Sequence, residues 1–300
     1  MAEADDGDRS KRRARVVPYA LLAPGMLWLI LFFLVPLMTL ARTSLSTKES
    51  RFDFEATFDW NFANFTDSMS TYSDQFIRSF VYAGIATILC ILIGYPVAYV
   101  IAFRGGKYRN VLLGLVVVPF FTSFLIRTLA WTTILADEGP VLAMADRLRF
   151  TGILESIGIV QNGGLLSTSS AVIGGLTYNF LPFMILPIYV SLEKVDLRLA
   201  EAAKDLYANG WSAFRRVVLP LSLPGVFAGS LLTFIPAAGD FINAKFLGGP
   251  NNSMIGTVVQ DRFLVQLDYP TAAALSFVLM VIITVAVLIY ARLLGTDDLV

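Results

Sequence analysis

Residues 201–221 read EAAKDLYANGWSAFRRVVLPL, an alanine-rich, charged island between two stretches of almost unbroken apolar character. Its neighbours are apolar enough for a bilayer and it is not, so its reading decides the fold. Within 195–206, Val195, Leu199, Ala202 and Leu206 recur at helical spacing and share one face of an α-helix, while Lys194, Arg198, Glu201, Lys204 and Asp205 occupy the remainder. Asp196 can cap the start of this helix, and Asn209 or Gly210 can take the left-handed conformation that ends it. A helix of about 12 residues is marginal alone in water. The pattern therefore predicts that it packs on something, with Ala202 and Ala203 permitting a close approach, before Leu219 and Pro220 turn the chain back into apolar surroundings. An amphipathic helix held rigidly between two spans is a surface offered to a soluble partner.

The rest of the chain agrees with a bilayer as solvent. Of 300 residues, 56% are hydrophobic and 15% charged, with a mean hydropathy of +0.68, whereas a soluble domain carries about 25% charged residues. Basic and acidic residues balance at 23 each, so no overall field points to nucleic acid. Cys90 is the only cysteine and sits in an apolar run, which excludes a disulfide framework and a thiolate metal site. There is no histidine, the commonest metal ligand and neutral-pH acid or base, so no metal or catalytic residue is expected. Nor is there a GxxxxGK[ST] loop to cradle nucleotide phosphates, and no cofactor is expected in this chain.

Six segments, at about 19–41, 76–103, 111–135, 169–190, 220–240 and 270–293, approach the ~20 apolar residues needed to cross a bilayer. The expectation is an all-α polytopic membrane protein with a transmembrane domain at 19–293, tails at 1–18 and 294–300, and a cytoplasmic loop at 191–219. The first segment exceeds the apolar core of a signal peptide, about 7 to 15 residues, and is read as retained. Pro182, Pro187, Pro220, Pro224 and Pro236 interrupt the fourth and fifth segments and are read as packing kinks. Fourteen Lys and Arg residues fall in the N-terminal tail, the 104–110 turn, the 191–219 loop and the C-terminal tail, against eight in the alternate connections. Because Lys and Arg resist translocation, both termini and the charged island are placed in the cytoplasm.

Residues 49–74 mix Phe52, Phe54, Phe58, Trp60, Phe62 and Phe65 with six acids, a composition suited to anchoring at headgroup level or to an acidic surface that attracts a cationic ligand or partner. A second amphipathic stretch, 139–160, carries Met144, Leu148, Ile153 and Ile157. Within the spans, Arg127 and Asp240 stand out, since an ionisable side chain at bilayer depth costs at least ~2.5 kcal/mol and needs a partner, a cavity or an interface. Asp240 reads as a carboxylate lining a route for an ammonium group, or as an interfacial ion pair. Arg127 reads as a pairing or gating residue. Trp131, Tyr178 and Phe241 can offer ring faces to a cation, or simply pack.

The EAA of Glu201, Ala202 and Ala203, followed by Val218, Leu219 and Pro220 before a span, resembles the EAA loop of ATP-binding-cassette importer permeases. Six spans with this loop between the fourth and fifth agree with the type I ABC importer permease (MetI-like) fold. The resemblance implies that Glu201, Ala202, Ala203, Lys204, Asp205, Leu206, Tyr207 and Gly210 belong to a coupling helix docked on an ATPase subunit. Where the family usually has a glycine, this chain has Tyr207, with Gly210 three residues on. PFFTSFLIRTLAW (119–131), LPFMILPIYVSLEKVD (181–196) and FIPAAGDFINAKFLGGPNNSMIG (234–256) further resemble spermidine/putrescine importer permeases, over about 76–293. The resemblance implies a bacterial inner-membrane permease working with two ATPase subunits that bind ATP and Mg, a second homologous permease and an extracytoplasmic solute-binding protein. Its cargo would be a small cationic solute such as a polyamine, or another small solute. Two readings from other classes stay open on the residues alone: an ion-coupled secondary transporter, which wants inverted halves and midplane acids, and an intramembrane enzyme, which wants a nucleophile with a base or a metal motif.

Overall fold

A computed structural model describes residues 18–19, 21–48, 56–156, 158–161, 163–196 and 209–293. The tail at 1–17, residues 49–55, Ile157, the tail at 294–300 and the island from 197 to 208, with Glu201, Ala202, Ala203, Lys204, Asp205, Leu206 and Tyr207, lie outside the described residues.

Helix α1 is Leu21–Ser44, α2 is Ala63–Arg104, α3 is Arg109–Val117 and α4 is Phe124–Ile134. The short α5 (Pro140–Arg147) and α6 (Thr151–Ser156) come next. Then come α7 (Ser169–Glu193), α8 (Gly210–Ala238), α9 (Ile242–Leu247), α10 (Ile255–Gln260) and α11 (Tyr269–Leu293). Helices α1, α2, α7, α8 and α11 are each long and apolar enough to cross a membrane.

The third span differs from the straight segment expected at 111–135. Helix α3 passes through a 3-10 turn at Val118–Phe121, breaks at Thr122 and Ser123, and resumes as α4 with a bend of 92°. Pro119 opens that turn, and Thr122 is extended (φ −94°, ψ 147°), so the helical ladder cannot run through. Conversely, the fourth and fifth spans are continuous helices despite their internal prolines. Helix α1 and helix α8 each contain a widened π turn, Ile30–Leu34 and Phe214–Val218, ending two residues before Pro36 and Pro220. The extra residue in each turn accommodates a ring that an α-helical turn would meet as a clash. Of the aromatic and acidic stretch at 49–74, residues from Ala63 on begin the helical run Ala63–Arg104, which is kinked at Tyr72 (φ −115°, ψ 17°), and Thr57 and Phe58 pair with Thr47 and Ser46 in a short hairpin.

The centre of the bundle is α2, α7 and α8. In lipid, helices gain little from hydrophobicity against each other, and small residues that let backbones approach become the means of association. Ala83, Ala86, Cys90, Ala98, Ala237 and Ala238 are fully buried here. At Gly225 of α8 a Cβ atom would stand 2.5 Å from the Pro187 carbonyl oxygen of α7, and at Gly229 it would stand 2.8 Å from the Met184 sulfur. Helix α1 lies at the edge against α11, with its apolar side chains exposed.

Candidate functional site

Helix α8 stops after Pro236 and Ala238, and the chain reorganises around a carboxylate. One Asp240 oxygen accepts a hydrogen bond from the Asn243 backbone N–H at 2.7 Å, capping α9. The Asn179 amide nitrogen on α7 donates to the Asn243 side-chain oxygen at 3.0 Å and to the Thr128 hydroxyl on α4 at 3.4 Å. Thr128 in turn donates to the Phe124 carbonyl at 3.1 Å. All three side chains are at most 1% exposed. A buried polar knot thus fastens the bent third span, the fourth span and the segment after the fifth.

Two glycines make the knot possible. A Cβ atom at Gly175 would sit 2.7 Å from the Asn243 side-chain oxygen and 2.5 Å from a Leu247 methyl carbon. One at Gly256 would sit 2.4 Å from the Gly239 carbonyl oxygen, against the backbone that carries Asp240. Asn179 and Asn243 were not singled out from sequence. Their signal was available, because an asparagine in an apolar run is costly unless it finds partners inside the bundle.

The sequence-predicted site residues do not form a single cluster. Trp131 of α4 and Tyr178 of α7 meet edge to face with ring centroids 5.4 Å apart, one residue's step from the knot. Arg127, beside Thr128, sets its guanidinium 5.5 Å and 5.7 Å from the Phe120 and Phe124 rings. Its Nε and Nη1 have no hydrogen-bond partner among the described residues. Asp240 is buried, 8% exposed, and has no ion-pair partner among the described residues. Phe241 stands apart, lining with Gly239, Gln260, Phe263 and Leu279 an apolar cleft of about 920 Å³ between α8, α10 and α11. The arrangement thus holds one carboxylate and one guanidinium without an ion-pair partner among the described residues, on elements joined by neutral hydrogen bonds.

On the loop side, the expectation that Asn209 or Gly210 ends a helix in the left-handed conformation is corrected. Asn209 is extended (φ −136°, ψ 125°), and its side-chain oxygen accepts from the Trp211 N–H at 3.0 Å. It caps the start of α8, of which Gly210 is the first residue, because an Asx side chain satisfies an otherwise unpaired helical N–H. In the stretch 139–160, Leu142 and Ala145 are buried while Met144, Leu148 and Ile153 stay exposed.

The model of the binding-protein-dependent transport system inner membrane component family matches residues 90–294. The chain belongs to that family. This permease is a multi-pass inner-membrane protein, and its helices have the type I ABC importer permease fold. It is 41% identical over 267 residues to the spermidine/putrescine transport system permease protein PotB of Haemophilus influenzae, covering 88% of this chain and 90% of that one. With PotB of Escherichia coli K12 the identity is 36% over 266 residues, covering 88% and 93%. Among solved structures, a bacterial alginate ABC transporter in complex with an alginate pentasaccharide-bound periplasmic protein superposes with a TM-score of 0.62 at 20% identity, over 96% of this permease and 97% of that chain. At that identity the likeness concerns the fold. Family membership favours the permease reading over an ion-coupled transporter or an intramembrane enzyme.

Proposed function

We propose that this permease forms half of the route by which an ATP-driven importer carries a polyamine, spermidine or putrescine, into the cell. The observation that carries the reading is the identity of 36% to 41% with two spermidine/putrescine permeases over 88% of the chain. A second, homologous permease completes the route, two ATPase subunits bind ATP and Mg and supply the energy, and a solute-binding protein delivers the cargo from outside. Both termini and residues 197–208 lie in the cytoplasm, in keeping with the excess of Lys and Arg in those segments.

In this proposal the 197–208 stretch, with Glu201, Ala202 and Ala203 at its centre, docks on an ATPase. Closure of the ATPase pair on ATP draws the coupling stretches of the two permeases together, and rigid-body rocking of the spans exchanges inward-facing and outward-facing cavities. Arg127 serves as an interfacial gate. Asp240, Trp131, Tyr178 and Phe241 serve the cationic cargo, the carboxylate by charge and the rings by cation–π attraction of ~2 kcal/mol when desolvated.

The test is uptake of labelled spermidine by cells lacking their own polyamine importers and supplied with this permease and its partner subunits, with putrescine, molybdate and oligosaccharide as competitors. Competition by putrescine alone is expected, whereas competition only by the other solutes contradicts the polyamine assignment. Asp240→Asn refines it. Asparagine retains an oxygen to accept from the Asn243 N–H, so folding should persist, but the charge is gone. Spermidine uptake is expected to fall about tenfold or more, a loss of ~1.4 kcal/mol, with normal protein level. Unchanged uptake would leave Asp240 as a helix cap only.

A further inference from the structure

The two arms that flank residues 197–208 pack on each other at Gly225, and each is fastened to a further element. The entering arm is α7, which ends at Glu193. Arg109, the first residue of α3, pairs through Nη2 with the Glu193 carboxylate, donates from Nε to the Tyr189 hydroxyl, and lays its guanidinium 4.9 Å over the Tyr189 ring. Tyr189 and Glu193 are one helical turn apart on the same face of α7. Arginine can make all three contacts at once because its planar fork presents separate donors at fixed angles, which a lysine cannot do. The α7 end is firm: Tyr189 is 6% exposed, and Ile188 and Leu192 are fully buried.

Helix α3 is held much less by packing, since none of its residues is buried. It leaves α2 through a tight turn in which a Cβ at Gly105 would lie 2.5 Å from the Ile101 carbonyl oxygen and Gly106 adopts φ +46°. At its far end Phe120 meets Phe183 of α7 edge-on, with centroids 4.9 Å apart. The segments 109–120 and 183–193 have comparable lengths of roughly 15 to 19 Å. Helix α3 is therefore pinned to α7 at both ends, and just past the outer pin lie the 92° bend, Arg127 and Thr128. The departing arm, α8, approaches α7 closely at Gly225 and Gly229 and is fastened to α2 as well. Phe214 meets Tyr95 at 5.8 Å and Tyr99 at 5.9 Å, and the Tyr95 hydroxyl lies 2.7 Å from that of Ser222.

We propose that Arg109 is a positioning residue of the transport cycle, tying the bent third span to the arm that enters the coupling stretch so that displacement of that arm carries the bend with it. The proposal rests on the reading that residues 197–208 dock on an ATPase. Arg109 and Glu193 are both substantially exposed, and exposed ion pairs add little to folding stability. The consequence of breaking the pair therefore falls on coupling.

The test uses the complete importer reconstituted with partner permease, ATPase and binding protein, with ATP hydrolysis and spermidine uptake measured in the same vesicles. Arg109→Gln and Glu193→Gln are each expected to lower the solute moved per ATP by about tenfold, within the usual range of coupling between sites, with hydrolysis unchanged. The exchanged pair, Arg109→Glu with Glu193→Arg, should restore the ratio, because an arginine one turn beyond Tyr189 can still lie on its ring. An unchanged ratio in the single variants, or a loss that the exchanged pair does not repair, overturns the proposal. A second measurement needs neither variant. In a Cys90→Ser background, spin labels at Leu115→Cys on α3 and Val190→Cys on α7, both exposed positions, should keep one separation with and without ATP. A change approaching one helical turn, ~5 Å, would overturn it. Failure of the docking reading is distinguishable, since the unsubstituted permease would then bind no ATPase.

Discussion

Replacing Glu201 with lysine is expected to reduce ATP-driven spermidine uptake by about 100-fold while leaving membrane insertion and the amount of permease unchanged. The residue stands in the charged island between two spans, and the proposed docking makes it part of the surface gripped by an ATPase. Reversing a charge at such a contact replaces attraction with like-charge or unpaired-charge burial, a penalty of several kcal/mol, and ~2.8 kcal/mol corresponds to 100-fold. Insertion is spared because the island is polar and, in the proposed orientation, the added cation favours the cytoplasmic side. Co-purification of the ATPase with the permease should be lost in the same measure. Unchanged assembly together with unchanged transport-coupled hydrolysis would remove the docking role.

Gly225→Val should destabilise the bundle by about 3 kcal/mol or more, at or above the upper end of ordinary overpacking. At this position even a Cβ atom would lie 2.5 Å from the Pro187 carbonyl oxygen and 2.5 Å from the Ser191 hydroxyl oxygen. The obstacle on one side is backbone, and α7 and α8 would have to part close to residues 197–208. Gly84→Val is the matched control, since nothing lies within 4 Å of a Cβ atom there. Thermal unfolding of the purified permease in detergent should show a large fall in midpoint for Gly225→Val and little change for Gly84→Val. Equal midpoints would show that the α7–α8 approach is looser than described.

Much of the architecture was legible in the residues because bilayer thickness imposes a length on apolar segments. The bend in the third span was not, because Pro119 lies within an apolar run and hydropathy is indifferent to direction. The prolines of α7 and α8 do not divide their spans: each runs through as one helix, α8 with a widened turn just before Pro220. Of the candidate site, Trp131 and Tyr178 do come together, at 5.4 Å. Arg127 and Asp240 were visible as charges out of place, but the Thr128–Asn179–Asn243 knot between their elements is formed by neutral side chains far apart in sequence, and only the tertiary fold joins them. Arg109 was counted merely as one of the cations in the 104–110 turn. Its contact with Glu193 and Tyr189 depends on α3 running back along α7, which periodicity does not report.

The most direct measurement is spermidine uptake into vesicles holding this permease with its partner permease and ATPase, supplied with binding protein outside and either ATP inside or a proton gradient alone. Accumulation with ATP, and none with the gradient, is the expected result. Accumulation driven by the gradient when no ATP is present would contradict the account.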